Sequence, residues 1–174
     1  MAYVLLWCRT AVGGVFLVSM ATKVRGRAAL AEFVSSVEAF RVLPRRWSRP
    51  AAYGAVGAEA GALLLLAIPA TVPLGLAAGG LLLVVFTGAI AAALRRGDRG
   101  PCRCFGPSMT PLGLPHVVRN LALVAVCATG LAATASITGP AQHPVGIATA
   151  LVSAATVVLL AARLDDLVAL FAPS

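Results

Sequence analysis

The chain has 174 residues, of which 60% are hydrophobic and only 11% charged, and it carries a formal net charge of +8. Soluble domains have about 25% charged residues, so this composition, with a mean hydropathy of +0.94, excludes a water-soluble globular protein. The positive charge is confined to a few loops, which argues against nucleic acid as the ligand.

A bilayer-spanning helix needs about 20 mostly apolar residues. Five windows qualify: about 4–22, 51–68, 72–94, 115–136 and 144–162. The expected fold is an all-α integral membrane bundle of five spans, forming one transmembrane domain over 1–174. The first window does not read as a signal peptide, because Lys23, Arg25 and Arg27 follow the apolar stretch rather than precede it. Glycines recur four apart in the second and third windows (Gly57 and Gly61, Gly75 and Gly79), which predicts close helix packing there.

Between the first two spans lies ALAEFVSSVEAFRVLP. Leu30, Phe33, Val34, Val37 and Phe40 recur at helical spacing, while Glu32, Ser35, Ser36 and Glu38 avoid that stripe. The pattern predicts an interfacial amphipathic helix over about 28–43. Spans two and three are joined by a short hairpin, Pro69 to Pro73, whose prolines end one helix and begin the next.

Alternate loops are basic. The loop 23–49 and the loop after span three are rich in arginine, and Arg163 opens the tail, whereas 69–71 and 137–143 contain no Lys or Arg. The positive-inside rule then puts the N-terminus outside and the C-terminus in the cytoplasm. A multi-pass protein of the bacterial plasma membrane is the expected setting, with membrane lipid as its first partner.

Two charges fall within spans: Glu59 in the middle of span two and Arg119 near the start of span four. Ionisable residues at that depth face a bundle interior or cavity. Counted from the predicted span ends, their axial offset is about 6 Å, short enough for an ion pair, which is the expected partnership. Lys23 closes span one at the same end, either as a snorkelling anchor or as part of a site. Arg9 lies near the opposite face with no evident partner and is expected to snorkel. Cys8 and Cys127, each alone in an apolar span, read as small hydrophobes.

The segment GDRGPCRCFGPSMTP, 97–111, differs from the rest. Cys102 and Cys104 flank Arg103 in a bend set by Pro101, Gly106 and Pro107, with Arg95, Arg96 and Arg99 close by. A thiol attacks as thiolate, and neighbouring arginines favour that form. A disulfide across so short a spacing needs a tight turn and is readily reduced. Three readings fit: a redox pair, a metal site completed by His116, and a structural bend. The metal reading lacks the fourth ligand that zinc sites normally have, and no metal is expected.

The order Phe16 and Lys23, then Glu59, then Cys102-Arg103-Cys104-Phe105-Gly106, then Arg119-Asn120 resembles the MauE family of methylamine-utilisation membrane proteins, relatives of DoxX-like redox-associated proteins. The resemblance runs over essentially the whole chain. It implies a five-span protein working beside a thioredoxin-like partner on a disulfide-containing client, the small subunit of methylamine dehydrogenase in the family's case. Cys102 and Cys104 would be the redox pair, with Arg103, Arg119, Asn120, Glu59 and Lys23 in support. That client matures outside the cytoplasm, whereas the charges here place the cysteines inside. A different redox task, or a quinone carrying electrons between the faces, would reconcile the two. The competing reading is a non-catalytic assembly or transport subunit whose Cys-x-Cys turn is structural.

Overall fold

A computed structural model gives the fold and describes residues 1–39, 44–97, 113–136, 139, 143–164 and 166. Among the described residues the helices run, in chain order, α1 (Ala2–Val24), α2 (Arg27–Ala39), α3 (Arg45–Ala67), α4 (Val72–Arg95), α5 (Leu114–Ala135) and α6 (Pro144–Ala162), with a 3₁₀ turn at Pro69–Thr71. All but α2 are long and apolar enough to cross a membrane. Large apolar side chains such as Leu17, Leu64, Leu81 and Val152 are exposed on the outside, a surface suited to hydrocarbon and not to water.

Local sequence sets the helix ends. Prolines stand at the first or second position of α4, α5 and α6, where the missing N–H costs nothing. Gly97 stops α4. It adopts φ 79°, a left-handed value that favours glycine, while its N–H bonds the carbonyl of Leu94 at 3.0 Å. The second spanning helix begins at Arg45, six residues before the start its apolar window suggested. Extended Pro44 precedes it, and Arg46 and Arg49 ride on its exposed polar end.

The centre of the bundle is α1. It packs against α2, α3, α4, α5 and α6, while α4 bridges α3 and α5. The main core joins Val12, Val15 and Phe16 of α1 to Leu66, Leu76, Leu83, Leu123 and Cys127. Close approach depends on glycine in α4. A Cβ on Gly75 would stand 2.8 Å from the backbone nitrogen of Leu66, and one on Gly79 would meet the Phe16 ring at 2.8 Å. The other predicted pair behaves differently: Gly57 and Gly61 of α3 have no atom within 4 Å of a Cβ position. Among the described residues, nothing packs on α3 at these two positions.

The amphipathic helix forms at 27–39, with its expected continuation at 40–43 outside the described residues. Phe33 and Val34 pack on Ala52, Ala55 and Val56 of α3. The apolar stripe therefore faces the bundle, and α2 roofs one of its ends.

Candidate functional site

That end holds the buried polar groups. Lys23 sits one residue from the end of α1 and is 2% exposed; Glu59, on α3, is 1% exposed. Side chains on a helix lean toward its N-terminus, so Lys23 reaches back into the bundle rather than out. Its Nζ donates to Ser19 Oγ, one turn earlier, at 2.9 Å and to Glu59 Oε1 at 2.5 Å. Ser19 Oγ also donates to both carboxylate oxygens at 3.4 Å. The Phe33 ring from α2 covers the ammonium at 4.6 Å, and the Phe86 ring from α4 lies 5.8 Å away. Four helices thus enclose one cation and one anion. The pair is neutral as a whole, and the aromatic faces favour the cation on the sides the carboxylate leaves open.

This arrangement corrects one expectation and decides between two readings of another residue. Glu59 pairs with Lys23, not with Arg119. The physical reason is azimuthal: α3 lies against α1, α2 and α4, whereas α5 packs on α1 and α4. Lys23, for its part, is a buried partner and not a snorkelling anchor.

On α5, His116, Arg119, Asn120, Leu123 and Cys127 form the buried face. The spacing is helical, polar for the first two turns and apolar beyond. Nε and Nη2 of Arg119 both donate to Asn120 Oδ1 at 3.3 Å, which orients the amide on the face that enters the bundle. His116 is 2% exposed. Weighing it only as a metal ligand overlooked the i, i+3, i+4 relation to Arg119 and Asn120, which was the available signal. Among the described residues no three His, Cys, Asp or Glu side chains group so as to hold a metal ion.

Cys102, Arg103 and Cys104 lie outside the described residues. Their segment leaves α4 after Gly97 and enters α5 at Gly113, so both of its anchors stand at the end of the bundle that holds Lys23, Glu59, His116, Arg119 and Asn120. Cys8 and Cys127 are elsewhere, 0% and 2% exposed in the apolar core, a setting in which thiols are inert.

At the opposite end Arg9 also has a partner. Its Nε donates to the carbonyl of Leu66 at 2.6 Å and its Nη2 to that of Ala67 at 2.7 Å, satisfying carbonyls left open at the end of α3. The Tyr3 hydroxyl accepts the His143 N–H there at 3.0 Å.

The chain matches the family model for methylamine utilisation protein MauE over residues 1–133. It belongs to the MauE family. No curated protein and no solved structure matches it. The matched stretch runs from α1 through most of α5, so it takes in the Lys23–Glu59 pair, the Cys-x-Cys segment and the Arg119-Asn120 step; α6 lies beyond it.

Proposed function

We propose that this MauE-family membrane protein is a thiol–disulfide oxidoreductase of the bacterial plasma membrane, with Cys102 and Cys104 as its redox pair. The observation that carries the reading is the buried polar cluster at the end of the bundle where the cysteine segment is anchored. Burying charges in hydrocarbon costs several kcal/mol even when they are paired. A bundle held by packing alone does not need them.

In the proposed reaction the thiolate of one cysteine attacks a client disulfide. A bond forms between that sulfur and one client sulfur, and the client S–S bond breaks. The second cysteine then attacks the mixed disulfide. Two electrons pass to the client, and the turn is left as a disulfide. A thioredoxin-like dithiol reverses these steps and resets the pair. Arg103 favours thiolate over thiol by its charge. Lys23 and Glu59 fix α1, α2 and α3 around the site, and Arg119 with Asn120 supplies buried donors. Those two donors suit the carbonyl of a quinone, which when bound would supply a lipid-soluble two-electron couple.

Thiol labelling of membranes with and without reductant tests the reading. Cys102 and Cys104 should gain two reactive thiols on reduction, and a membrane-impermeant reagent should reach them from the cytoplasmic side. A pair that never oxidises, together with a Cys102→Ser/Cys104→Ser double variant of full activity, would leave the turn structural and the assembly or transport role in its place.

A further inference from the structure

We propose that the start of α3 binds an anionic phospholipid, with Arg46 on the headgroup phosphate and Trp47 and Tyr53 at the level of the acyl esters. Such a site is independent of the cysteines and would serve a redox protein or an assembly subunit alike. It occupies a face of α3 that the bundle leaves open. The other sides of α3 are taken by α1, α2 and α4. On the open side Arg46 is exposed, and Trp47 and Tyr53 are each 56% exposed. Arg46 and Tyr53 stand seven residues apart, two turns along one face, and Trp47 and Gly54 repeat that spacing on the adjoining row. Further along, a Cβ at Gly54, Gly57 or Gly61 would meet no atom within 4 Å, so the helix lies bare beyond the two rings.

The chemistry of this face selects its occupant. Tryptophan and tyrosine, each with an apolar body and one polar edge, settle where headgroups meet acyl chains, which fixes the depth of the face in the bilayer. Two turns of helix rise about 10 Å, so Arg46 stands outward of Tyr53, among the phosphates. Among the described residues Arg46 meets no carboxylate, and neither the Trp47 N–H nor the Tyr53 O–H has a hydrogen-bond partner. Arg49 differs, because Glu38 holds its Nε at 2.9 Å. The first turn of α3 contains no acidic residue, and no side chain caps it. A helix N-terminus favours anions and disfavours cations, so Arg46 does nothing for its own helix. It suits a phosphate, to which a guanidinium offers a planar fork of donors. Charge complementarity therefore favours an anionic lipid over a zwitterionic one.

The chain has two tryptophans, and Trp7→Phe leaves Trp47 as the reporter. The full-length variant is placed in vesicles of equal phosphatidylglycerol and phosphatidylcholine, with bromine on the acyl chains of one lipid or the other, and quenching of Trp47 is compared. Brominated phosphatidylglycerol should quench more strongly, corresponding to an occupancy preference of about fivefold. Arg46→Gln should bring the two lipids to parity, and Arg46→Lys, which keeps the charge, should retain most of the preference. Arg163→Gln removes a cation from the end of α6, which packs against α1, and should leave the preference unchanged. Equal quenching by the two lipids before any change at Arg46 would overturn the proposal, because Trp47 would then meet only bulk bilayer. A preference that survives Arg46→Gln, or falls as far in Arg163→Gln, would overturn it as well, since the net charge of the bundle end would then account for it.

Discussion

The two ends of α1 solve one problem in two ways. Arg9 and Lys23 lie about 21 Å apart along the helix axis, and each joins α1 to α3 through a buried or half-buried cation. At the Arg9 end the acceptors are backbone carbonyls of Leu66 and Ala67, which α3 leaves open where it stops. An arginine held by carbonyls adds no second ion. At the Lys23 end the acceptor is Glu59, a carboxylate placed well inside α3 and enclosed by Phe33 and Phe86. A helix clamp needs no carboxylate, as the first end demonstrates. The second end therefore carries a cost that clamping does not explain, and it is the end where the cysteine segment is anchored.

The largest expected effect comes from splitting the enclosed pair. Glu59→Gln leaves an ammonium without its counter-ion, and a buried charge so exposed costs about 3–5 kcal/mol. Lys23→Met should be as severe. The double variant Lys23→Met/Glu59→Leu removes both charges and should recover most of the thermal stability in detergent. Additive losses in that cycle would show that the two residues do not act as a pair.

The contrast between the ends was only half legible in the sequence. Five spans and an amphipathic helix followed from apolar periodicity, because hydrocarbon imposes a length and leaves charged loops outside. Depth was readable as well: Lys23, Glu59, Arg119 and Asn120 share one end because span order requires it. Azimuth was not. Which helix faces Glu59 depends on how α1, α3, α4 and α5 pack, and no periodicity within one helix reports that. The start of α3 was missed because Arg45, Arg46, Arg49 and Pro50 resemble loop, although a spanning helix extends past the apolar window into polar surroundings. Arg9 was left without a partner because its acceptors are backbone carbonyls, to which residue identity gives no clue. Gly75 and Gly57 illustrate the same limit: identical spacing, one in a tight crossing and one facing outward.

Next in size is the Arg9 clamp. Arg9→Met removes two charge-assisted hydrogen bonds and should cost about 2–3 kcal/mol, with Arg9→Lys retaining part of it. Cysteine reactivity should be unchanged in both variants. Altered alkylation of Cys102 or Cys104 would mean the two ends communicate, and the division between a clamp and a reactive end would fail.

The glycine contrast predicts a smaller difference. Gly75→Ala sets a methyl against the backbone of Leu66 and forces α3 from α4, for about 1–3 kcal/mol. Gly57→Ala meets open space and should be neutral or slightly stabilising, since alanine is the better helix former. Equal melting temperatures for the two variants would contradict the close α3–α4 crossing.

The smallest effect concerns what holds α2 over the Lys23–Glu59 pair. Two ties are available: the Phe33 and Val34 stripe against α3, and the Arg49–Glu38 bridge at 2.9 Å, whose arginine side chain is 73% exposed. A solvated pair of this kind contributes about 0–1 kcal/mol, whereas the stripe buries an aromatic ring that also covers the ammonium. Arg49→Ala should therefore change thermal stability little and leave α2 protected in hydrogen exchange. Phe33→Ala should deprotect both α2 and the end of α1, because the ring serves both. If Arg49→Ala alone released α2, the roof would be held by charge at its rim, and its closure over the site would weaken with salt. Protection that is insensitive to salt and lost with Phe33 would instead make α2 part of the enclosed pair itself, the feature that most separates this end of the bundle from the other.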